Sequence, residues 1–181
     1  MRRSSTTPPD RGASAVEFAL LAPLLFSLLF GIVDYGLYFA DSLTLQQGVD
    51  QAARSATLAP ADATGPQWGT STCDVQQDGG TGPLTHLACT VLSTVDHGSG
   101  PLYVRAELVD AAGQPASVWA PGNRLRLCAL TEHPALLPVV PLPSGGRIRT
   151  RVDMPVQAVP TQVAMAPVAS ALPGGDDWSW C

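Results

Sequence analysis

Sixteen consecutive residues, Phe18 to Val33, carry no charge. A run of this kind is read first as a membrane-crossing helix. With Asp34 and the residues Tyr35 to Ala40 the stretch reaches twenty-three residues, enough to cross a bilayer core at about 1.5 Å per residue. Directly before it stands an acid, Glu17, and five residues before that a glycine, Gly12, behind a leader carrying Arg2, Arg3 and Arg11. An ordinary anchor has no need of Glu17 there, because a carboxylate near lipid is costly unless it finds a partner.

Two simpler readings of this region fit less well. A cleaved secretory signal wants positive charge where Glu17 stands, and no good small-x-small cleavage site follows the apolar block. Tyr38-Phe39-Ala40 comes nearest and has a bulky first position. A plain uncleaved anchor leaves Glu17 without a purpose. Pro23 lies inside the run, and proline is tolerated as a kink in a membrane or packed helix. The arginines ahead of the block and Asp34, Asp41 and Asp50 beyond it predict a cytoplasmic N-terminus and an exported remainder.

The helix is expected to continue to Thr57, because Leu45, Val49, Ala52, Ala53 and Ala56 recur at helical spacing. Gln46, Gln47, Asp50, Gln51 and Arg54 fill the other faces, and Ala59-Pro60 ends the pattern. From Ala13 to Thr57 such a helix is about 68 Å long. Asp34 has two readings. It could pair with another subunit or an assembly platform, or it could sit solvated in the outer headgroup zone, where polar residues are ordinary.

Beyond a Pro- and Gly-rich loop, 58–82, the chain predicts a small α+β domain over 83–156. Leu84, Leu87, Ala88, Val91, Leu92 and Val95 repeat as on a helix from Pro83 to His97. Leu102 to Val109, Arg124 to Leu130 and Gly146 to Met154 alternate as strands, Asp110 to Gln114 is a turn, and Ser117 to Ala120 is a candidate short return strand. Pro134, Pro138, Pro141 and Pro143 make a loop with at most one helical turn. The expected fold class is α+β, with a long transmembrane helix (about 18–40 in the membrane) and an antiparallel sheet of three or four strands on its outer half. Residues 157–181 are expected as a tail, extended and mobile over Gln157 to Ser170, with Trp178, Trp180 and Cys181 docking back.

Cys73, Cys89, Cys128 and Cys181 all lie beyond the apolar block, and an even count in an exported region points to two disulfides. Of three possible pairings, Cys73–Cys89 with Cys128–Cys181 is favoured because the first closes a short Gly-rich loop. Cys73, His86, Cys89 and His97 do not have zinc-site spacing, so no metal is expected. His97-Gly98-Ser99-Gly100 is no nucleophile elbow, Glu132-His133 lacks the second histidine of a zincin, and the chain has no lysine for a phosphate loop. Neither an enzyme nor a cofactor is expected. With 14% charged residues and a net charge of −5, a nucleic-acid surface is not expected either.

The run Gly12-Ala13-Ser14-Ala15-Val16-Glu17-Phe18-Ala19-Leu20-Leu21-Ala22-Pro23-Leu24 resembles the TadE family, pilin-like proteins of tight-adherence (Flp-type) pilus systems. Gly31-Ile32-Val33-Asp34-Tyr35-Gly36 and Ala52-Ala53-Arg54-Ser55-Ala56 extend the resemblance. It implies trimming by a prepilin peptidase after Gly12, so that 1–12 is a removed cytoplasmic leader and Ala13 the new N-terminus. Glu17 would then pair with the freed amine of a neighbouring subunit. The implied partners are the peptidase, other pilin-like subunits, the pilus assembly platform and membrane lipid. The implied role is that of a minor pilin or pseudopilin. The alternative is an uncleaved single-span membrane protein with an exported partner-binding domain.

Overall fold

The structure, a computed structural model, describes residues 11–58, 61–62, 65–66, 73, 83–95, 100–136, 141–157 and 163–181. One helix, α1 (Arg11–Thr57), runs the length of the N-terminal third, about 70 Å. It passes through Pro23 without a break in its assignment. Its inner half, Ser14 to Val33, stands clear of the other described residues. Phe18, Leu20, Leu24, Leu28 and Ile32 are all more than 60% exposed.

Contact with the domain begins at Asp34. From there Asp34, Tyr38, Leu45, Val49, Ala53 and Ala56 are buried, a stripe at steps of three, four and seven along one face. The expected stripe thus extends about three turns toward the membrane, from Leu45 back to Asp34, and Ala52 lies only partly buried at its margin. Gly48 marks the close approach of α1 to α2 (Pro83–Thr94). A Cβ there would lie 2.8 Å from Cγ1 of Val95, one residue past the end of α2.

Between the helices a short hairpin pairs β1 (Ala61–Asp62) with β2 (Gly65–Pro66). The main sheet is antiparallel. Its central strands are β3 (Leu102–Val109), β6 (Arg124–Glu132) and β7 (Arg147–Pro155). Val104, Ala129 and Thr150 align across the three strands, as do Ala106, Leu127 and Val152, and Leu108, Leu125 and Met154. This face meets α1, which lies over β6 and β7, and α2, which lies over β3. The core is made there, from Leu45, Val49, Leu87, Val91, Leu108, Leu125, Leu127 and their neighbours. The fold is therefore α+β, a long helix carrying a small antiparallel sheet on its outer half.

Two expectations need correction. The return after the Asp110 turn is β4 (Pro115–Ala116), which pairs with Leu108 and Val109, whereas β5 (Val118–Trp119) leaves the main sheet and pairs with β8 (Val163–Ala164). The segment from Val163 to Ser170 is not a mobile extension. β9 (Val168–Ala169) pairs with Arg105 and Ala106 on the outer edge of β3, and Met165 and Val168 are buried. An open edge of β3 would leave backbone groups unpaired, and β4 and β9 between them cover it. Residues 158–162 lie outside the described residues, as do most of the 58–82 loop and His97.

Candidate processing site and helix–domain junction

Two groups of residues stand out at the two ends of the apolar half of α1. At the inner end, Gly12 and Ala13 fall in the first turn of the helix, which begins at Arg11. Residues 1–10 lie outside the described residues, as do the side chains of 11–13. Glu17 is exposed, and Val16 and Phe18 beside it are 61% and 63% exposed. The carboxylate therefore heads a helix whose whole apolar surface is open. Four residues separate Ala13 from Glu17, about 6 Å along the helix axis. An amine at Ala13 would lie one turn below the acid of its own chain and in reach of the acid of a chain packed alongside with a small stagger.

At the outer end, Asp34 is fully buried, so the reading of it as a solvated headgroup charge does not hold. The stripe that buries Leu45 and Val49 continues back through Tyr38 to Asp34, which turns the acid onto its own domain. There His133, just beyond β6, lies between two carboxylates of α1. Its Nδ1 is 2.7 Å from Oδ2 of Asp41, and its Nε2 is 3.6 Å from Oδ1 of Asp34. Asp34 and Asp41 are seven residues apart, two turns on one face, which is the spacing that lets both meet one ring. The backbone N–H of Leu136 donates to Oδ1 of Asp34 at 3.2 Å. The ring of Tyr38 stands edge-on to that of His133, with centroids 6.1 Å apart. Tyr35 donates its hydroxyl to the carbonyl of Pro141 at 2.6 Å.

Gly146 makes the closing turn possible. It adopts φ +83°, and a Cβ on it would come within 2.6 Å of the His133 carbonyl oxygen. The N–H of His133 donates to its carbonyl at 2.8 Å. The acid–histidine–acid arrangement thus clasps the loop after β6 to the first turn beyond the apolar block. The histidine was invisible to sequence reasoning, being 92 residues from Asp41. The one available hint was that Asp34 and Asp41 extend the Leu45–Val49 stripe by helical steps.

The opposite face of the sheet is polar and carries a row of charges. Glu107, Arg126 and Asp153 align across β3, β6 and β7. Arg126 donates Nε–H to Asp153 at 3.0 Å and approaches Glu107 at 3.3 Å. The hydrogen bond to Asp153 is the main reason the Arg126 guanidinium is held above its ordinary pKa. For Asp153 burial pushes the carboxyl up, but hydrogen bonds from Arg151 and Arg126 outweigh it and hold the group below its ordinary value. The C-terminal segment lies over this face. Arg149 lies beneath the Trp180 ring, 5.5 Å from its centroid, Trp178 donates its indole N–H to the Ser170 carbonyl, and Arg147 pairs with Asp176. The disulfides join Cys128 to Cys181, tying the chain end to β6, and Cys73 to Cys89 on α2.

No curated protein and no solved structure matches the chain. Residues 12–54 match the family model described as TadE-like protein, a span that opens on Gly12 and takes in Glu17, Asp34 and Asp41. Over its N-terminal helix, from the glycine before the apolar block to the domain-facing stripe, the chain is similar to TadE-like proteins.

Proposed function

We propose that the protein is a pilin-like structural subunit, a minor pilin or pseudopilin of a tight-adherence pilus system, trimmed by a prepilin peptidase after Gly12. The observation that carries this reading is Gly12 placed five residues before Glu17, at the head of a helix whose apolar half is exposed among the described residues. Such a surface needs lipid or other helices. In the membrane the helix is a single span with its N-terminus cytoplasmic, and in an assembly the same surface packs against neighbouring subunits. Glycine before the scissile bond offers the peptidase no side chain to accommodate. Trimming frees a cationic amine at Ala13, for which Glu17 of a neighbour is the natural counter-charge. Separating such a pair inside a packed bundle would cost about 3–5 kcal/mol.

The role is non-enzymatic. The groove beside β7 is lined by Gln46, Gln47, Asp50, Arg149, Thr150, Arg151 and Val152, and the Asp50 carboxylate there is paired with Arg54. Folded size favours a rare subunit over the bulk fibre subunit.

Trimming and pairing separate in two variants. Gly12→Val blocks the cut, so the protein keeps its leader. Glu17→Gln is cut normally and fails to enter the sheared pilus fraction. Normal trimming of Gly12→Val in cells with an active peptidase would refute the reading.

A further inference from the structure

Among the described residues the exposed large apolar side chains lie on α1 or just beyond its end at Leu58, with one exception, Leu136 at 55% exposure. Leu136 sits at the lower end of the domain, on the loop that His133 clasps to α1. The loop is attached at two points. The Leu136 N–H is held by Asp34, and the Pro141 carbonyl by Tyr35. Both anchors belong to the first turn after Val33, the last residue of the charge-free block. The exposed leucine is therefore fixed at the level where the apolar surface of the helix ends.

Its surroundings suit a lipid boundary. Pro134, Ala135 and Pro141 beside it are also exposed. In sequence, every position from Pro134 to Pro143 is Pro, Ala, Leu or Val, and the four prolines have no N–H to leave unsatisfied. Residues 137–140 are outside the described residues and are not part of the site. Asp34 and Asp41, the acids at this level, are turned onto His133. Tyr35, half-buried at this level, supplies an aromatic ring of the kind enriched at membrane interfaces.

We propose that the foot of the domain, formed by Pro134, Ala135, Leu136 and Pro141, rests in the interfacial layer of the outer leaflet. Helix and loop then make a two-point contact with lipid before assembly, which fixes the rotation of the domain about α1 relative to the membrane plane. This inference rests on the single-span reading.

The test is site-directed spin labelling of the full-length, disulfide-intact protein, diluted in phosphatidylcholine–phosphatidylglycerol vesicles. Labels at Leu136→Cys, Leu28→Cys and Leu58→Cys are compared for collision with oxygen, which partitions into lipid, and with a water-soluble nickel chelate. The expected result is an oxygen-to-nickel ratio at 136 between those of 28 and 58, and severalfold above that of 58. A ratio at 136 equal to that at 58, with 28 in lipid, would overturn the foot contact alone. Protection at 136 from both reagents would mean a protein neighbour covers it, and would also overturn it. A water-exposed label at 28 would remove the single-span reading, and this inference with it.

Discussion

Asp34 shows how one residue's meaning depends on what the rest of the chain brings to it. From sequence it is an acid at the end of an apolar run, and its neighbours allow either a solvated charge or an intersubunit contact. In the fold it is buried against His133, with only one hydrogen bond, from Leu136, among the described residues. Removing His133 would leave the carboxylates of Asp34 and Asp41 without the imidazole they face, so His133→Ala is expected to destabilise the protein by about 1–3 kcal/mol. Thermal unfolding in detergent micelles measures this, and an unchanged midpoint would show that the clasp contributes nothing. Gly12 and Glu17 differ in kind. The role proposed for them rests on a spacing along one helix, and no tertiary contact is needed to state it. His133 was not legible, because no local pattern connects it to Asp41, 92 residues away, or to Asp34, which is farther still.

At the scale of elements, local periodicity was a good guide where a segment meets one environment along its length. α2, β3, β6 and β7 lie close to where alternation and helical spacing put them, and the Leu45–Val49 stripe faces the sheet. The segment from Val163 to Ser170 was read as mobile because it belongs to a stretch, Gln157 to Ser170, that lacks charge and carries repeated Pro, Ala and Val. What orders it is the edge of β3, a partner about sixty residues away that periodicity does not record. The Cys128–Cys181 bond then closes the tail over the sheet. Cys128→Ser with Cys181→Ser should lower stability by roughly 2–4 kcal/mol and expose the tail to limited proteolysis. Unchanged protease resistance would mean that β9 pairing and the tryptophans hold the tail unaided. The charge row under the tail adds a pH dependence. Asp153 has its pKa lowered from 3.8, so its stabilising contribution is complete above that value and is lost as the pH falls through the lower folded value. Wild type and Asp153→Asn should therefore differ in stability at pH 6 and converge as denaturation is followed toward pH 2. A constant difference across that range would remove Asp153 from the acid limb.

As a whole molecule the chain divides its surface between two solvents. The outer half of α1 and the sheet bury one core around Leu45, Leu108 and Leu127, while the inner half of α1 leaves Phe18 to Val33 for lipid or for neighbouring subunits. The clasp at Asp34, His133 and Asp41 sits where the two halves meet, and under the proposed function it would carry the domain with the helix as one unit between membrane and assembly. That exchange requires a new N-terminus for Glu17 to meet, and so the account depends on trimming after Gly12. The most direct test is intact-mass and N-terminal peptide mass spectrometry of the protein recovered from cells that carry a prepilin peptidase. The account predicts a mature chain beginning at Ala13. A mature chain beginning at Met1 or Arg2 would contradict it and leave an untrimmed membrane protein with an exported domain.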